Sequence, residues 1–235
     1  MSEAQYIVTG GSRGIGAAIA NELTQRGCTV VCLSRSGEGQ FGRQVLCDMN
    51  NELEVKRVIR EIGQAGPIAA LINNAGVHSL APAEEISTAD FEQVMKLNAT
   101  SVMVAAREVL PFMKEQSAGI IVNLGSLFDK MGVKDNLAYC ASKAAVAAMT
   151  RVMAVEWAKY GVQVVNVAPG YIKTDLNRKF LEREKVAAWM KTRIPTGEPA
   201  QAEQVASLIG RLVVDPIPFL TGETIYLDGG QGVQH

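Results

Sequence analysis
Short apolar runs rich in β-branched residues alternate with longer stretches of helical period along almost the whole chain. Tyr6 to Thr9, Cys28 to Leu33, Val45 to Cys47, Ala69 to Ile72, Ile120 to Leu124, Val162 to Val167 and Thr224 to Leu227 have the length and composition of buried strands. Between them, residues 14–26, 53–62, 88–115, 137–160, 176–192 and 202–214 repeat apolar side chains at helical spacing; Ile15, Ala18, Ile19 and Leu23 define the first. Strands separated by helices are joined by crossovers, and crossovers of one hand place helices on both faces of a parallel sheet. The predicted fold class is therefore α/β, a doubly wound, seven-stranded parallel sheet. One connection breaks the alternation: between Leu33 and Val45 the chain is short and glycine-rich, so a loop is expected there.

With 235 residues, 48% of them hydrophobic, the chain is large enough to bury both faces of such a sheet as a single domain spanning 1–235. A net charge of −1 provides no long-range field toward nucleic acid or an anionic membrane, so neither is expected as a partner. Cys28, Cys32, Cys47 and Cys140 show no metal-ligand spacing, and no metal site is expected; they read as thiols of a reducing compartment. The N-terminus has no basic leader and no apolar run is long enough to span a bilayer, which predicts a soluble, cytoplasmic protein.

The first strand ends in Thr9-Gly-Gly-Ser-Arg-Gly-Ile-Gly16, which opens the first helix. Taken alone this is a tight strand-to-helix turn. At the first strand–helix junction of a βα series it stands where dinucleotides bind. Glycines let the backbone approach a pyrophosphate, and the helix N-terminus offers free N–H groups. The glycine spacing resembles that of the short-chain dehydrogenase/reductase family. So does Asn73-Asn-Ala-Gly76 after the fourth strand, together with Asn98, Ser126, Tyr139, Lys143, and Pro169-Gly170 with Thr174, all in family order along the chain. The resemblance implies a Rossmann-type domain with Asn98, Ser126, Tyr139 and Lys143 as the catalytic set. For the cofactor it implies contacts from Gly10, Ser12, Arg13, Gly14, Ile15 and Gly16 in the turn, and from Ser34 and Arg35 after the second strand. Asp48 and Met49, Asn74, Ala75 and Gly76, Tyr139 and Lys143, and Pro169, Gly170, Ile172 and Thr174 complete the expected set.

Tyr139 and Lys143 lie four residues apart on a predicted helix and so share a face. Reducing a ketone with hydride requires a proton for the developing alkoxide. A free phenol, with a pKa near ~10, is poorly matched to neutral pH. A nearby ammonium favours the phenolate, and a fall of ~3 units would require roughly 4 kcal/mol, which Lys143 and an oxidised nicotinamide could supply together. Ser126 follows the fifth strand and could hold the substrate oxygen beside Tyr139. Family resemblance assigns Asn98 a water that relays protons to Lys143.

The second strand ends in Leu33-Ser-Arg35 without an acid for the ribose hydroxyls, and Arg35 with Arg13 could pair with a 2′-phosphate, so NADP(H) is expected ahead of NAD(H). The pattern is most similar to that of reductases of 3-oxoacyl thioesters, with Gly170-Tyr-Ile-Lys-Thr-Asp175 and Leu227-Asp-Gly-Gly230 in support. Members that dock acyl carrier protein tend to use two basic residues; Ser117 and Tyr160 stand there, which leaves acyl-CoA or a small ketone open. A dehydrogenase of a cyclic or aliphatic secondary alcohol is the alternative, and a non-catalytic nucleotide sensor a remote one. Residues 127–137 are expected to line the substrate pocket, where Lys130 or Lys134 could steer an anion. The resemblance implies that residues 176–193 form a lid whose apolar side chains, Trp189 among them, set substrate size. His78 reads as a loop residue. The resemblance further implies a homotetramer.

Overall fold
The computed structural model describes residues 3–174 and 177–234. Strands β1 (Gln5–Thr9), β2 (Thr29–Ser34), β3 (Arg43–Leu46), β4 (Ile68–Asn73), β5 (Gly119–Leu124), β6 (Val162–Pro169) and, last in the chain, β9 (Thr224–Leu227) form one parallel sheet ordered β3-β2-β1-β4-β5-β6-β9. The expected seven-stranded, doubly wound α/β architecture is what the chain adopts. The chain winds outward from β1 in one direction, returns to β4, and winds outward in the other. The strand order therefore reverses between β1 and β4, which opens a crevice at their carboxyl ends.

Helices cover both faces because each carries an apolar stripe. On one face α1 (Gly14–Gln25) sets Ile19 and Leu23 against Val205 and Ile209 of α8 (Ala202–Val214). On the other, Val55, Val58, Ile59 and Ile62 of α2 (Glu52–Ala65) meet Val109 and Met113 of α4 (Ser101–Gln116), with α5 (Leu137–Trp157) alongside. Each such side chain taken from water stabilises the fold by about 1.5–3 kcal/mol. The ends are capped locally: Asn51 accepts the Glu54 N–H, and Ser87, ahead of α3 (Thr88–Met95), accepts the Asp90 N–H. The expected loop joins β2 to β3 without a crossover helix.

Three differences from the sequence-based expectation concern the site. The predicted long helix over 88–115 is not one α-helix; a π-helical turn, Lys96–Thr100, separates α3 from α4 and carries Asn98. The helix expected over 176–192 is two short helices, α6 (Arg178–Leu181) and α7 (Glu184–Arg193); Asp175, Leu176 and the Phe180 side chain lie outside what is described. A small parallel pair, β7 (Ile172–Lys173) and β8 (Ala200–Gln201), was not anticipated, because two-residue strands have no periodicity to detect.

Candidate active site
The turn after β1 is shaped by its glycines. Gly10 and Gly14 have φ of +68° and +57°, the left-handed region that side chains resist. A Cβ on Gly10 would stand 3.0 Å from the Ala75 Cα, and one on Gly16 would run into the Gly10 carbonyl. Asn74 locks this turn from β4: its amide donates to the carbonyls of Thr9 and Gly10 at 2.9 and 3.1 Å, while the Thr9 hydroxyl accepts the Asn74 and Ala75 N–H groups. The first and fourth strand ends are thus clamped across the crevice.

That crevice is a cleft of about 1070 Å³. Its walls include Gly10, Ser12, Arg13, Gly14, Ile15, Gly16, Ser34, Arg35, Asp48, Met49, Asn74, Ala75, Gly76 and Thr174, all expected from the sequence. Pro169, Gly170 and Ile172, also expected, are not among the residues that line it. Gly170 donates its N–H to Leu227 and lies where a Cβ would touch the Asp228 backbone, and Ile172 is buried in the core. The cleft also takes in Ser36, Glu38 and Gln40 from the glycine-rich loop, residues whose role sequence spacing does not mark. Arg13 and Arg35 are exposed and make no ion pair among the described residues, so both guanidiniums remain available to an anion. The backbone cradle at the α1 N-terminus and these two cations fit a phosphorylated dinucleotide.

Beyond the cleft, at the same edge of the sheet, stand Ser126, Tyr139 and Lys143. Ser126 follows β5 and its hydroxyl accepts the Phe128 N–H at 3.2 Å, capping a short turn over Leu127–Asp129. Tyr139 and Lys143 lie on one face of α5, with the Lys143 Nζ 5.6 Å from the centre of the Tyr139 ring. Burial pushes the Tyr139 phenol above its ordinary pKa, while the hydrogen bond it shares with Ser126 pulls the other way. With the protein's own groups alone, burial outweighs any lowering by Lys143. The Lys143 ammonium is itself buried, donates to the Leu124 carbonyl at 2.6 Å, and is lowered by desolvation to about 8.

Asn98 is fully buried and bonded. Its Oδ1 accepts the Val77 N–H at 2.8 Å, and its Nδ2 donates to the Val77 carbonyl and the Ser142 hydroxyl. No hydrogen bond joins its amide to Lys143 among the described residues. These bonds hold the segment after Gly76 against α5. Sequence reasoning missed two ring neighbours of Tyr139. His78 packs edge-on at 4.7 Å between ring centres, and Phe128 at 5.9 Å. Phe128 continues to Tyr171 at 6.1 Å, and Tyr171 to Trp189 of α7 at 5.6 Å. Of the two expected steering cations, Lys130 and Lys134, the first has its Nζ 3.6 Å over the Tyr226 ring.

The family model described as enoyl-(acyl carrier protein) reductase matches residues 10–231, which carry the glycine turn, Ser126, Tyr139 and Lys143 together. The chain belongs to the short-chain dehydrogenase/reductase family. This short-chain dehydrogenase is an oxidoreductase of CH–OH and C=O groups. It is 31% identical to gluconate 5-dehydrogenase of Gluconobacter oxydans, over 98% of this chain and 95% of that one. It is 32% identical to the 3-oxoacyl-(acyl-carrier-protein) reductase of Vibrio cholerae, over 95% of both. A solved gluconate 5-dehydrogenase from Burkholderia cenocepacia, in complex with NADP and tartrate, superposes with a TM-score of 0.92 at 28% identity, over 100% of this chain and 97% of that one.

Proposed function
We propose that this short-chain dehydrogenase interconverts a ketone and a secondary alcohol with NADP(H), Tyr139 carrying the proton. The observation that carries the reading is the convergence of Ser126, Tyr139 and Lys143 at the sheet edge beside the glycine-lined cleft. When bound, the nicotinamide supplies or accepts the hydride. The protein's groups do the rest. Gly10, Gly14 and Gly16 leave room for a pyrophosphate, and Arg13 and Arg35 take a 2′-phosphate. Relatives support both cofactor choices, an NADP complex among the structures and an NAD-dependent glycerol dehydrogenase among the sequences; the two unpaired arginines decide for NADP(H) here. Ser126 and Tyr139 bracket the substrate oxygen. A phenol held protonated by burial is ready to donate in the reductive direction, and the Lys143 ammonium beside it favours the phenolate in the reverse one.

For the substrate, a small secondary alcohol or its ketone is favoured. Ser117 and Tyr160 precede β5 and β6, at the end of those strands opposite Ser126 and Tyr139, and neither is basic. The 3-oxoacyl thioester is the second reading. It rests on the relative from Vibrio cholerae and on Lys114 and Lys159, whose ammoniums lie 4.0 and 5.1 Å from the centre of the Tyr160 ring. We read residues 176–193 as a lid, the whole chain as one functional domain, the assembly as a homotetramer, and the compartment as the cytoplasm, where four unpaired cysteines are at home.

The test follows nicotinamide absorbance. NADPH oxidation is measured with cyclic ketones, acetoacetyl-CoA and acyl-carrier-protein mimics, NADP+ reduction with secondary alcohols, and NADH and NAD+ replace them in parallel. Turnover is expected with the phosphorylated cofactor, and Tyr139→Phe is expected to lower kcat by about 100–10,000-fold while NADPH still binds. Unchanged turnover in that variant would overturn the mechanism.

A further inference from the structure
His78 packs edge-on against Tyr139 and is held there by a contact that fixes its chemistry. The ring is exposed, stands edge-on to Tyr139, and its Nε2 is hydrogen-bonded to the Oδ1 of buried Asn136. The orientation of that amide is set from the far side, because Asn136 Nδ2 donates to the Lys134 carbonyl at 2.7 Å. An amide oxygen only accepts, so Nε2 carries the proton, and in the neutral ring Nδ1 is left as an acceptor. Nδ1 has no partner among the described residues.

The surrounding backbone keeps this arrangement in place. The Ala81 N–H donates to the Asp135 carbonyl at 3.0 Å, and Ala81 bridges Asn136, so the 78–81 and 133–137 segments are stitched together. On the other side, Asn98 grips Val77 through both backbone groups, the residue immediately before His78. The acceptor is therefore mounted on two clamped loops rather than on a free one.

Resting on the reading of Tyr139 as the proton carrier for a secondary alcohol, we infer that His78 Nδ1 accepts a hydrogen bond from a hydroxyl on the carbon next to the reacting one. The substrate class is then the vicinal diol and its α-hydroxyketone, rather than an isolated alcohol. A substrate oxygen between Ser126 and Tyr139 puts the neighbouring carbon beside the ring that His78 packs against. Phe128 packs on Tyr139 as an apolar wall with no acceptor, and the Tyr171 phenol belongs to a ring that stands beyond it, 6.1 Å from the Phe128 ring centre. An acyl thioester has no hydroxyl to offer this nitrogen.

The experiment measures kcat/KM with NADP+ for two matched pairs, 2,3-butanediol against 2-butanol and 1,2-cyclohexanediol against cyclohexanol. The readout is the diol-to-alcohol ratio. The wild-type enzyme is expected to favour the diol by about 10-fold or more, the effect of one hydrogen bond of about 1.5 kcal/mol. His78→Leu is expected to bring the ratio close to one. His78→Gln, whose amide can donate to Asn136 and still accept from the substrate, is expected to retain most of it. A wild-type ratio near one, a ratio unmoved by His78→Leu, or a Gln variant that behaves like Leu overturns the inference while the ketone–alcohol reading stands. Absence of NADP+-dependent turnover for every alcohol and ketone tested overturns both.

Discussion

The ammonium of Lys143 is 5% exposed, sits in the wall beneath Tyr139, and has a pKa lowered to about 8 by desolvation. In the unfolded chain the same group titrates near its ordinary 10.5, so between those values the unfolded state binds more protons than the folded one. Stability contributed at this residue therefore increases as the pH rises from about 8 to 10.5, and that gain is lost again as the pH falls from 10.5 to about 8. Lys143→Met removes that dependence. The wild type is expected to gain about 3 kcal/mol relative to the variant across this window in urea titrations at stepped pH. A difference that stays flat would mean that Lys143 is not desolvated in solution. The pairing of Tyr139 with Lys143 is legible in the sequence because a helix turns four-residue spacing into a shared face. The pairing of His78 with Asn136 is not legible. The two lie 58 positions apart on separate loops, and only the folded clamp around Val77 and Ala81 brings them together.

At the scale of the element, helices with strong apolar stripes were readable, and their interruptions were not. The π-helical turn at Lys96–Thr100 inserts a residue's worth of rotation without changing which side chains are apolar, so composition reads straight through it. The break between α6 and α7 is hidden for the opposite reason, since charged residues there blur any stripe. The end of α4 holds a testable misfit. Ser117 closes that helix at φ +52°, in the left-handed region, and its carbonyl lies against Gly161 where no Cβ could fit. A serine side chain there costs roughly 1 kcal/mol that glycine would not. Ser117→Gly is expected to raise Tm by about 2–4 °C in a thermal melt. Because the residue lies at the end of β5 opposite Ser126, kcat should not change. A lower Tm would show that the hydroxyl, rather than the backbone geometry, is what the position needs.

For the whole molecule, the parallel, doubly wound class was legible in the alternation of strands and helices with right-handed crossovers, while the strand order is read from the structure. The surface is where pattern gave least guidance, because an exposed apolar residue looks the same in sequence as a buried one. β9 closes the sheet with one edge unpaired, and the loop leading to it carries Ile217, more than half exposed, and Phe219, wholly exposed at φ +80°. A phenylalanine in water at a left-handed φ is unfavourable on two counts, solvation and backbone. Covering it with a second copy would recover about 1.5–3 kcal/mol per chain. The outer face of α5 presents Val152 and Val155 as a second apolar surface elsewhere on the molecule. Two separate apolar surfaces, each paired with a second copy about its own two-fold axis, would generate a closed tetramer rather than a dimer. Light scattering coupled to size exclusion is accordingly expected to give four times the 25.2 kDa chain mass. Phe219→Asp should reduce that mass by half while leaving the far-ultraviolet circular dichroism unchanged, because the side chain packs against nothing within its own chain. A wild-type mass of one chain would sink the assembly, and a tetramer indifferent to Phe219→Asp would move the interface away from β9.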